Sequence, residues 1–122
     1  MENKEFGRLL EKRTKDFAIT ILRLSASLPN TQEGYVIRNQ VTKSGTSIGA
    51  NYREANRSRS KGDFVNKIKI CESEASETTY WLEIIIELNW TDNTKTLISL
   101  AEANEILAIF TSISNTSKLN NS

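Results

Sequence analysis

VTKSGTSIGANYREANRSRSKGDFVNKIK, residues 41–69, decides how this chain folds. Val41, Ser44, Ile48, Asn51 and Ala55 recur at helical steps. Gly45 and Gly49 lie four apart inside that pattern. Each costs about 1 kcal/mol against alanine in a helix interior. A pair on one face therefore predicts a close crossing by a second helix. Ser60-Lys61-Gly62-Asp63 then interrupts the pattern. Gly62 suits a left-handed helix end, and Ser60 or Asp63 suits the N-cap of the next helix. Phe64, Ile68 and Cys71 restart the helical step beyond it. The stretch is the end of one helix, a turn and the start of another.

Upstream, residues 3–28 read as a helix with the apolar stripe Phe6, Leu10, Phe17, Ile21, Leu24 and Leu28. Asn3 is the expected N-cap, with Glu5 in the first turn. Pro29 closes it, because the residue before proline is pushed out of helical geometry. Thr31 caps the second helix, 32–58, whose stripe begins at Ile37. Downstream, the third helix spans 63–89. Its inner face is Phe64, Ile68, Cys71, Ala75, Thr78, Leu82 and Ile85, and Trp81, Ile84, Ile86 and Leu88 widen it. That width exceeds one stripe, so one face is expected for the core and one for a partner subunit. Trp90-Thr91-Asp92-Asn93 is the third turn, capped by Asp92 or Asn93. The fourth helix covers 94–114, with Leu97, Leu100, Ala101, Leu107, Ala108 and Phe110 inward and Ile98, Ile109 and Ile113 beside them. The polar tail 115–122 is expected to fray. Four helices on short turns in a single domain make an all-α, up-down-up-down antiparallel four-helix bundle.

The 122 residues carry a formal net charge of +1, which is no global signature of a nucleic-acid binder. The charges are segregated. Arg38, Lys43, Arg53, Arg57, Arg59, Lys61, Lys67 and Lys69 face only Glu54 and Asp63. From Glu72 to Glu105 the balance inverts, with Lys95 the one base. The simplest expectation is that adjacent helices or subunits attract each other through these blocks. Cys71 is a lone cysteine and the N-terminus resembles no signal peptide. No apolar run approaches the length of a membrane span. The expected compartment is a reducing cytoplasm.

Asn51, Glu54 and Arg57 follow at steps of three on one side of the second helix. Two readings stand. Arg53 and Arg57 contact phosphate while Glu54 orients them, or Gln40, Asn51, Glu54 and Arg57 form a structural polar layer that sets register. The basic run Arg53, Arg57, Arg59, Lys61, Lys67 and Lys69 brackets the turn and is the candidate nucleic-acid-binding surface. Tyr52 and Tyr80 are expected to pack rather than stack on bases. Enzyme readings fail on chemistry. Gly45-Thr46-Ser47-Ile48-Gly49 lacks the lysine and preceding strand of a phosphate loop. With no histidine there is no Glu-x-x-His pair for a di-metal site, and nothing to activate Cys71. No catalytic residue, metal or cofactor is assigned.

The run from Thr46 to Ser60, followed by Asp63-Phe64, resembles the signature of bacterial four-helix bundle proteins known as intervening-sequence proteins of the large ribosomal RNA. That signature is approximately Ser-Ile-x-Ala-Asn-x-x-Glu, then an arginine, then a polar residue before phenylalanine. Here it is Ser47-Ile48-Gly49-Ala50-Asn51-Tyr52-Arg53-Glu54. Gln40, Glu74 and Trp81-Leu82-Glu83 match further positions. The resemblance extends from Phe17 into the fourth helix and is most specific in helices two and three. It implies a left-handed bundle that assembles into a ring, commonly a pentamer. A related branch, the accessory variability determinant of diversity-generating retroelements, is a basic pentamer that binds nucleic acid and a reverse transcriptase. This chain departs from that branch in its near-zero net charge. The expectation is a non-enzymatic homo-oligomer that binds RNA, DNA or a nucleic-acid enzyme through the basic turn. The alternative is a structural or protein-interaction oligomer.

Overall fold

Short polar side chains start the helices where the apolar periodicity breaks. The computed structural model describes residues 3–121, with side chains for 4–117. Four helices follow in order: α1 Asn3–Ala26, α2 Gln32–Asn56, α3 Lys61–Leu88 and α4 Asn93–Asn121. Thr31 Oγ1 accepts the Gly34 amide at 3.0 Å and begins α2. Ser60 Oγ accepts the Asp63 amide at 3.1 Å and begins α3. Ser60 is therefore the cap, and Gly62 lies inside α3 rather than in a left-handed helix end. The left-handed residue is Asn89, with φ of 54°, which closes α3. Asparagine tolerates that conformation because its short side chain bonds locally. Asp92 accepts the Thr94 amide at 3.0 Å near the start of α4. The capping role expected of Asn3 lies outside the described side chains.

Several boundaries differ from the sequence expectation: α1 ends at Ala26 rather than Leu28, and α3 begins at Lys61 rather than Asp63. α2 ends two residues early, at Asn56, with Arg57 as its C-cap. α4 continues past Ser114 to Asn121, and Ser114 and Ser117 are buried. The polar tail is thus largely helix, because small hydroxyl residues there still meet the bundle.

Each helix packs against its neighbours in the cycle α1–α2–α3–α4, and the α1–α4 seam is the loosest. This is an all-α four-helix bundle. Phe17, Ile21, Ile48, Ile68, Leu82, Ile85, Ile106 and Phe110 fill the core. Tyr52 meets Phe110 edge-to-face across it, with ring centroids 5.3 Å apart. The close crossing predicted at the two glycines is that of α2 on α1. A Cβ at Gly45 would lie 2.8 Å from Ile21, and one at Gly49 would lie 3.0 Å from the Thr14 hydroxyl.

α4 corrects the sequence reading most. Its core residues are Ala103, Ile106 and Phe110, whereas Leu97, Ala101 and Ala108 are exposed. The apolar residues of α4 are spread round the helix among polar ones, so periodicity carries no direction. By length and composition alone Asn93–Ser117 would suit a membrane span. In the bundle, its Glu102 and Glu105 are engaged by Arg13 of α1 at 2.7 Å. Phe6 and Tyr80, expected inside, are 51% and 56% exposed.

Candidate nucleic-acid interface

The α2–α3 turn brings the start of α1 beside it. A Cβ at Gly7 would touch Asn56 at 3.5 Å, so the N-terminal turns of α1 flank the end of α2. Arg57, Arg59 and Lys61 are exposed at this end of the bundle. Among the described residues, none of Arg57, Arg59, Lys67 and Lys69 is within ion-pair distance of a carboxylate. The acidic residues of α3 turn elsewhere. Glu72 accepts from Thr111 of α4 at 2.8 Å, and Glu77 accepts from the Trp81 indole at 3.0 Å. The expected attraction between the basic and acidic blocks is therefore not made within the chain by these residues.

The six candidate bases do not form one patch. Arg53 sits on the α1 side of α2, where Glu11 lies 3.9 Å away and also accepts from Asn56 at 2.8 Å. Lys67 is half-buried and Lys69 exposed. Two residues apart on a helix, they point to nearly opposite sides. What remains contiguous is the turn itself: Arg57, Arg59 and Lys61. Arg8 of α1, unassigned from the sequence, is at the same end but is held by Glu5 at 2.7 Å. Only the helix pairing brings it there, so no local signal marks it.

Arg38 leaves the basic set altogether. It stands at the opposite end of the bundle and donates to the carbonyls of Ser25 at 3.0 Å and Leu28 at 2.6 Å. It satisfies the carbonyls left open where α1 ends, while its guanidinium lies 5.2 Å from the Tyr35 ring centroid.

The polar layer is not assembled in one chain either. Asn51 donates to Ser47 of its own helix at 2.8 Å. Glu54 and Arg57 are both exposed and make no ion pair with each other. Gln40 is half-buried about three turns or more away from the others. A different pair, the Thr78 and Ser44 hydroxyls, forms a buried polar link between α2 and α3 at 2.9 Å. Both hydroxyls sat on the expected stripes, but their meeting depends on helix register.

Electrostatics elsewhere is modest. Burial, reinforced by Glu77 and opposed by Lys43, raises the pKa of Glu74. Burial pushes the Cys71 thiol up to about 12, and its sulfur faces the Ile48 carbonyl at 3.5 Å. That is an inert packing cysteine. Among the described residues no cluster of three or more ligating side chains is placed to hold a metal ion.

A family model described as 23S rRNA-intervening sequence protein matches residues 10–112. The chain belongs to the 23S rRNA-intervening sequence protein family. A solved structure of a protein of unknown function from the S23 ribosomal protein family of Bacteroides thetaiotaomicron is similar to it. The two share 38% identity over 85% of this chain and 96% of that one, with a TM-score of 0.78. No functionally curated protein matches. Neither description names a catalytic activity. The matched span takes in the basic turn, all of α2 and α3 and most of α1 and α4.

Proposed function

We propose that this chain is a non-enzymatic, homo-oligomeric adaptor that binds RNA through the α2–α3 turn. The carrying observation is that Arg57 and Arg59 stand exposed beside Lys61, without a carboxylate partner for either arginine. The family is itself described by the intervening sequence of 23S rRNA. In an oligomer, each subunit repeats this end, and several copies of a small basic turn add into one strong local field. Binding is by phosphate contact and only weakly sequence-selective, since no base-reading motif is present.

Self-assembly is supported by apolar surface that one chain leaves uncovered. Tyr80 and Leu88 on α3 and Leu97 on α4 are all exposed. A second reading, an oligomer that binds only protein, draws on the same surface and on the neutralisation of Arg53 by Glu11.

The test is native mass with and without a mixed-sequence RNA at low and high salt. RNA uptake that falls with salt, with a log–log slope of about 0.7 per phosphate contacted, supports the adaptor. Arg57→Glu/Arg59→Glu should abolish uptake and leave the oligomer mass unchanged. An oligomer that ignores RNA at every salt selects the protein-binding reading, and a monomer rejects both.

A further inference from the structure

The loose α1–α4 seam opens into a groove that runs from Trp90 to the Arg13–Glu102 ion pair. Its wider part, about 650 Å³, lies at the end of the bundle that holds the α3–α4 turn. A second part, about 440 Å³, continues along the seam, and Thr20, Ile98 and Ser99 line both. Volumes in this range are those of small-molecule sites.

The charges of the two parts differ. In the narrower one Lys12 pairs with Asp16 at 2.8 Å and Arg13 pairs with Glu102 at 2.7 Å. In the wider one Arg23 stands on the α1 wall and Lys95 on the α4 wall. Neither makes a hydrogen bond or ion pair among the described residues. Asp92 is the one carboxylate in that lining; it accepts the Thr94 amide, and nearby Lys95 helps to hold its carboxyl below the ordinary range. The amide end of α4 adds further positive potential. Trp90, Leu24 and Ile98 supply an apolar wall, with Ile98 65% exposed.

Ser99 is the independent sign of a ligand. The residue is 3% exposed, and among the described residues its hydroxyl makes no hydrogen bond. A helical serine commonly donates back to the carbonyl four residues earlier. A hydroxyl with so little water in reach is ordinarily paired, and this one opens on both parts of the groove.

We propose that the groove binds a small molecule carrying one anionic group on a flat apolar body. The anion sits between Arg23 and Lys95 and accepts from the Ser99 hydroxyl, and the body lies along Trp90 and Ile98. The basic turn is at the opposite end of the bundle, so this proposal stands apart from RNA binding. The anion is a carboxylate or a phosphate, and the two arms of the test separate them.

The chain has two tryptophans, Trp81 and Trp90. Trp81 donates its indole N–H to Glu77 on α3 and serves as an internal control. The nitrogen-15-labelled full chain is titrated with 2-naphthoate, with adenosine monophosphate and with neutral 2-naphthalenemethanol, and both indole resonances are followed. A saturable shift of Trp90 alone is expected with one or both anions. Naphthoate alone assigns a carboxylate, and the nucleotide alone assigns a phosphate. Arg23→Gln/Lys95→Gln should weaken binding by about tenfold or more, and Ser99→Ala by about threefold, with the remaining spectrum unchanged. The proposal is overturned if the neutral alcohol binds as well as naphthoate, if the double variant binds unchanged, or if neither anion produces a saturable shift.

Discussion

The Thr78 hydroxyl meets the Ser44 hydroxyl at 2.9 Å between α2 and α3, with both side chains fully buried. Thr78 Oγ1 also reaches the Glu74 carbonyl at 2.7 Å. One proton serves one acceptor at a time, so the two hydroxyls share a relay. Removing one partner leaves the other buried and unpaired, at a cost of about 1–2 kcal/mol. Thr78→Val and Ser44→Ala should each lose that much, and the double variant should lose clearly less than the sum. Urea denaturation of the four proteins in this cycle checks it. Strict additivity would show that the pair carries no interaction energy.

The glycines should rank by what surrounds them. A Cβ at Gly34 would run into the carbonyl of Pro29, which is backbone and cannot yield. Gly34→Ala should cost about 3 kcal/mol by opening the α1–α2 turn. At Gly49 the neighbours are the Thr14 hydroxyl at 3.0 Å and its backbone carbon at 3.3 Å, so Gly49→Ala should cost about 1 kcal/mol net of the helix propensity it gains. At Gly62 the nearest atom is Ser60 Oγ at 4.0 Å, and alanine should stabilise by up to about 1 kcal/mol. Thermal melts that fail to follow this order would contradict the α1–α2 crossing described above.

Arg13 ties α1 to α4 through Glu102 and Glu105, both at 2.7 Å. The hydrogen bonds from the two carboxylates hold its guanidinium above its ordinary pKa. The arginine and Glu102 side chains are 34% and 32% exposed, so solvent screens much of the attraction. Arg13→Met should cost about 1 kcal/mol at low salt, and the difference should shrink at 1 M salt. Arg13→Lys should recover only part, because the forked geometry is lost. The readout is the denaturation midpoint at the two salts.

Glu74 has its pKa raised chiefly by burial. A carboxyl that holds its proton more tightly when folded makes the folded state less stable as pH rises through the interval between its unfolded and folded pKa. Glu74→Gln should therefore stabilise the protein at neutral pH, and the gain should vanish below the carboxylate range. A melting series from pH 3 to 8 on both proteins measures it. A variant that destabilises at neutral pH would instead mean that the charged Glu74 has a partner.

Cys71 is fully buried with its thiol pushed up to about 12. Iodoacetamide at pH 8 should leave the native protein unlabelled over hours and alkylate it quickly in urea, as mass spectrometry would report. Rapid native labelling would place the inner face of α3 in contact with solvent.

The local chemistry of the chain determined the four helices, their order and much of their core. Ile48, Ile68, Cys71, Ala75, Leu82 and Ile85 were legible because α2 and α3 carry directional apolar stripes. Thr31 and Ser60 were legible because capping is a local hydrogen bond. The family was legible in the run from Ser47 to Phe64, which the match over residues 10–112 includes. Only the tertiary structure decided which side of α4 faces inward, because a helix whose apolar residues are spread round it has no preferred side until its neighbours choose one. It also decided the fate of the charges. Arg38 went to the end of α1, Arg53 to Glu11 and Arg13 to Glu102, leaving Arg57 and Arg59 free beside Lys61. Ion pairing acts between groups brought within a few ångströms, and residues 13 and 102 acquire that distance only when α1 and α4 pack side by side.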